Sequence, residues 1–93
     1  MEQIERIQKY EKIMREAEEM LHQSPGEHAD LLRQKIEELE AYYSGDDWKK
    51  DFADDEAGLL PQDLQRGVLS EDGIFNLLER YKEYDQANGS NSR

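Results

Sequence analysis

The sequence predicts an all-α fold: an antiparallel helical hairpin closed by a short helix, a Leu-rich irregular segment and a C-terminal helix. Three observations lead there. Ile4, Ile7, Tyr10, Met14, Ala17 and Leu21 recur at steps of 3, 3, 4, 3 and 4, which is one stripe on a helix. Ala29, Leu32, Ile36, Leu39 and Tyr43 recur at steps of 3, 4, 3 and 4, a coiled-coil-like seam. Between the two stripes stands "HQSPGEH", a few residues of helix-stop and helix-start chemistry.

The first helix is expected over residues 2–23, with Ile13 and Met20 widening its stripe. Glu2–Arg6, Glu5–Lys9 and Glu11–Arg15 place an acid four residues ahead of a base on the other face. Each such pair is worth about 0.2–0.5 kcal/mol. Ser24 and Glu27 can exchange hydrogen bonds as a capping box around Pro25, starting a second helix that runs to about Tyr43. So short a connection folds the two helices back antiparallel, crossing near +20°.

Ser44-Gly45 breaks the second helix, and Ser44 with Asp47 reads as a new start. Asp46 and Asp47 fall at the positive end of a short third helix. Trp48 and Phe52 are four apart and share a face, and Gly58 is placed to stop the helix. The segment "LLPQDLQRGVLSEDG" is irregular, with one turn expected from Pro61 through Leu64. Leu59, Leu60, Leu64, Val68 and Leu69 are too many apolar groups for an exposed loop, so the segment should lie across the hairpin and close its core. Ser70 caps a last helix that buries Ile74, Leu77, Leu78 and Tyr81. Residues 1–84 then form a single helical domain. The tail "DQANGSNSR", 85–93, is expected to fray or be disordered.

Composition bounds the function. A chain of 93 residues buries roughly 60–65% of its unfolded surface, so the core is thin. There is no cysteine, which removes disulfides, thiolate metal sites and a thiol nucleophile. The N-terminus lacks the apolar centre of a signal peptide, and no apolar run approaches a membrane span. A cytoplasmic protein is expected. The net charge is −11, with 23 acids against 12 bases. The acids are spread along the chain and no basic patch offsets them, so nucleic acid and anionic membrane surfaces are not expected partners.

Sites of chemistry are few. Asp47, Asp51, Asp54 and Asp55 stand at spacings of 4, 3 and 1, and on a helix they could form one acidic ridge. Oxygen ligands suit Ca²⁺ or Mg²⁺, but the alternation, glycine and distant glutamate of a calcium loop are missing. A solvated face with capping explains the ridge as well. His22 and His28 flank the Pro-Gly turn without the tight spacing or further ligands of a zinc site. Ser24, Ser44 and Ser70 sit where helix caps belong, and none lies in a nucleophile elbow. The glycines are scattered, so there is no phosphate loop. The rings of Tyr42, Tyr43, Trp48 and Phe52 concentrate beside the acidic run. A small core needs such rings, Phe52 more than Trp48, and a partner site uses them too.

The string "YYSGDDWKKDFADDEAGLLPQDLQRGVLSEDGIFNLLERY", residues 42–81, resembles a family of small acidic bacterial proteins classed as a domain of unknown function. The layout of the whole chain is similar to theirs. The resemblance implies a bacterial cytoplasmic origin and transfers no catalytic residue or cofactor. The expected function is a protein–protein interaction or structural module, its partner another protein or a second copy. Tyr43, Trp48 and Phe52 would form the contact and Asp51, Asp54 and Asp55 its charge. The alternative is a weak divalent-cation-binding protein or metal-dependent enzyme using the 46–56 acids.

Overall fold

The computed structural model describes residues 2–23, 29–70 and 72–88. Among them are four α-helices and no strand: α1 (Glu2–His22), α2 (Ala29–Tyr43), α3 (Asp46–Glu56) and α4 (Gly73–Asn88), with a 3-10 turn at Gly67–Leu69. The first stripe packs α1 on α2. The Tyr10 ring stacks on Tyr42 with centroids 4.1 Å apart, and Lys35 Nζ donates to Glu16 Oε1 at 2.7 Å. Contacts therefore climb α1 as they descend α2.

One core collects side chains from three of the helices and the irregular segment. Ile7, Met14 and Ala17 come from α1, Leu32, Ile36, Leu39 and Tyr42 from α2, and Ile74 and Leu77 from α4. Leu60, Leu64, Val68 and Leu69 enter from the segment between α3 and α4, so that segment does close the core. Burying each such large side chain contributes about 1.5–3 kcal/mol relative to leaving it exposed. Helix α3 differs: its one buried residue is Asp51.

Local chemistry explains the helix ends. Gly58, at φ 75°, ends α3 in a Schellman motif. Its N–H donates to the Asp55 carbonyl and the Leu59 N–H to the Asp54 carbonyl, each at 3.0 Å. Ser70 Oγ accepts from the Gly73 N–H at 2.9 Å and donates to the Gly67 carbonyl at 3.0 Å, so the expected cap of α4 forms.

Several expectations change. The α2 seam turns through Tyr42, which is buried, while Tyr43 is only partly covered. Ser44 does not cap α3. Gly45 holds that position without a side-chain cap, and Ser44 Oγ instead donates back to the Glu40 carbonyl at 2.8 Å. Leu59 is 71% exposed: it leads away from the Schellman turn before the chain re-enters the core at Leu60. Helix α4 continues through Asn88, four residues into the segment expected to fray. Glu11 is buried rather than on the outer face, because Ile7 and Met14 flank it on the stripe. Arg6 reaches across to Asp51. Ser24, Glu27, His28 and the 89–93 tail lie outside the described residues. No described helix is long and apolar enough to cross a membrane.

Candidate functional site

The four carboxylates expected to share a ridge do not share one. Asp51 is wholly buried and faces α1 and α2. Arg6 grips it with two hydrogen bonds, Nη2 to Oδ1 at 2.6 Å and Nε to Oδ2 at 3.0 Å. Tyr42 Oη donates to Oδ2 at 2.6 Å and Gln3 Nε2 to Oδ1 at 2.9 Å. Asp54 takes the same Gln3 amide at 2.8 Å and Lys50 Nζ at 3.1 Å. Asp55 accepts from Arg66 Nη1 at 2.6 Å. Asp47 is largely exposed, 4.0 Å from Arg6. Among the described residues no group of three His, Asp or Glu side chains is placed to hold a metal ion. Asp51 therefore cannot lend charge to a partner surface, because its oxygens are used inside the molecule.

The electrostatics of this knot follow from burial and donors together. Burial disfavours the Asp51 carboxylate, but hydrogen bonds from Arg6, Tyr42 and Gln3 outweigh it and hold its pKa below the usual aspartate value. Arg6 is raised in turn, chiefly by its hydrogen bonding to Asp51. Burial pushes the Tyr42 phenol up, and its bond to Asp51 adds to the shift. A buried charge is tolerated only with such complete pairing. Among the described residues no buried side-chain nitrogen or oxygen lacks a partner.

Glu11 makes a second buried junction. Its Oε1 accepts from the Val68 N–H at 2.8 Å and its Oε2 from Arg15 Nε at 2.9 Å. Arg15 also donates to Gln65. Gly67 leaves room for this approach: a Cβ there would stand 3.3 Å from Glu11 Oε2 and 3.2 Å from Met14 Cε, so both side chains would have to shift. Glu11→Ala would strand the Val68 N–H in a site closed to solvent. The expected loss is about 1–3 kcal/mol, measured by urea melts against Arg15→Ala. The Arg15 variant should cost less than Glu11→Ala, because that side chain is 60% exposed and Glu11 keeps its bond from the Val68 N–H.

The aromatic residues do come together. Tyr43 meets Trp48 edge-on with centroids 4.8 Å apart, and Trp48 stacks on Phe52 at 5.0 Å and 14°. Trp48 Nε1 donates to the Val68 carbonyl at 3.0 Å, fixing the indole against the core. Trp48 and Tyr43 pack on the core, but Phe52 is not among the residues that do. The expected order is reversed, because the helical turn that directs Asp51 inward leaves Phe52 at the outer edge. Arg66 joins this face to the irregular segment by bonding Asp55 and the carbonyls of Leu64 and Pro61.

The expected Glu11–Arg15 pair forms, but the burial of Glu11 and its bond to Val68, and the convergence of Gln3, Arg6 and Tyr42 on Asp51, were not expected from the sequence. Glu11 had a signal, a charge four residues after Ile7 and three before Met14 on one stripe. Asp51 had none that separates it from five neighbouring acids. No curated protein and no solved structure matches the chain. The family model described as a domain of unknown function, DUF4298, matches residues 1–88, and the chain belongs to that family.

Proposed function

We propose that the protein is a small helical module that binds another protein through the Tyr43–Trp48–Phe52 face. The supporting observation is Phe52. Its ring is half-buried, stacked on an indole that the Val68 carbonyl holds in place. A ring held at the surface before binding loses little freedom when a partner covers it, and such aromatics dominate interface energetics. Asp54 and Asp55 are already shared with Lys50 and Arg66, so they give a weakened charge at the edge. The net charge of −11 steers basic partners and opposes self-association.

Phe52→Ala provides the test, because it spares the core. Immobilised wild-type and variant protein are compared for capture from an extract of the source cells. Each differentially retained protein is then purified and titrated by calorimetry. A partner bound at least about tenfold more weakly by Phe52→Ala, with the melting temperature within a few degrees of wild type, supports the reading. Equal affinities, or no retained protein together with a monomer in sedimentation, would count against it.

A further inference from the structure

We propose that the trough between α2 and α4 is a second docking surface, separate from the ring face, and that it takes a basic amphipathic helix from another protein. The trough encloses about 540 Å³. Its floor is apolar: Ile36 from α2, and Phe75, Leu78 and Tyr81 from α4. Ile74 and Leu77 occupy the inward direction of α4, at 0% and 1% exposure, which leaves Phe75 outside at 49%. A phenylalanine so placed gives an incoming apolar side chain its largest contact.

The rim decides the occupant. Four acids and two bases line the trough. Glu37, Glu40 and Glu79 make no ion pair among the described residues. Unpaired carboxylates flanking an apolar floor fit Lys or Arg flanking apolar anchors. The α4 lining runs from Phe75 to Asp85, about 15 Å of helix at 1.5 Å per residue. That accommodates two to three turns carrying anchors at i, i+3 and i+7. A second copy does not supply such a helix: α1, α2, α3 and α4 each carry more acids than bases. The other large trough, between α1 and residues 61–65, differs. Its lining holds no aromatic residue to receive an apolar anchor, and its Arg15 and Glu16 are already paired with Glu11 and Lys35.

Three synthetic helical peptides of equal length test this. One carries leucines at i, i+3 and i+7 with lysine flanks, one replaces the lysines with glutamates, and one scrambles the order of the first. Titration of ¹⁵N-labelled protein should show saturable binding of the lysine peptide alone, with shifts confined to 33–40 and 75–85. Phe75→Ala should weaken it about tenfold, and Glu37→Lys with Glu79→Lys should reverse the preference toward the glutamate peptide. Phe52→Ala should leave it unchanged, which separates this surface from the ring face. Equal binding of the scrambled peptide, insensitivity to Phe75→Ala, shifts mapping elsewhere, or a Phe75-dependent dimer in sedimentation would each overturn the proposal.

Discussion

Asp51→Ala is expected to cost about 3–5 kcal/mol, because removing one partner of a buried pair leaves the others desolvated and unpaired. The side chain is wholly buried, and Arg6, Tyr42 and Gln3 all donate to it. A domain of this size has about 5–15 kcal/mol in total, so the variant should be close to unfolding at room temperature. Urea titration followed by Trp48 fluorescence reads it directly. A loss under about 1 kcal/mol would show that the carboxylate is solvated.

The same residue sets an acid limit. Its folded-state pKa lies below the unfolded value, so the carboxylate contributes stability above the ordinary aspartate range near pH 4. That contribution is lost as pH falls through the folded value. Asp54 and Glu16 are lowered too, each first by a hydrogen-bond partner, Gln3 and Lys35 respectively. Asp51→Asn should therefore flatten the decline in melting temperature below about pH 4 without abolishing it.

Leu69→Ala is the second large effect, about 2–5 kcal/mol, from lost transfer energy plus the cavity it leaves. Leu69 is 1% exposed beside Val68 at 0%. Val68 bonds α1 through Glu11 and α3 through Trp48, so the 3-10 turn has little freedom to collapse into the space. Leu59→Ala, at a residue 71% exposed, should stay within about 0.5 kcal/mol. Paired denaturation curves make the comparison, and similar losses for the two variants would mean that the segment does not close the core.

The helices were legible because their signals are local. The stripes of α1 and α2, the stop at Gly58 and the Ser70 cap each involve residues within a few positions of one another. Asp51 was not legible, because its donors come from 45 and 9 positions away, Arg6 and Tyr42. Six acids in α3 look alike along the chain, and only the docking of three helices singles one out. Phe52 and Leu59 were misplaced for a related reason. Apolar character predicts burial, yet a thin core has limited surface to cover. Phe52 lost its place to the inward-facing Asp51, and Leu59 to the turn at Gly58.

A buried, ionised Asp51 holds α3 to α1 and α2. Side-chain ¹³C NMR of the Asp51 carboxyl across an acid titration reads that ionisation. The Asp51 resonance should stay at its ionised position through the ordinary aspartate range near pH 4, moving only at lower pH or as the protein unfolds. An Asp51 midpoint within or above that range, in protein that is still folded, would overturn it.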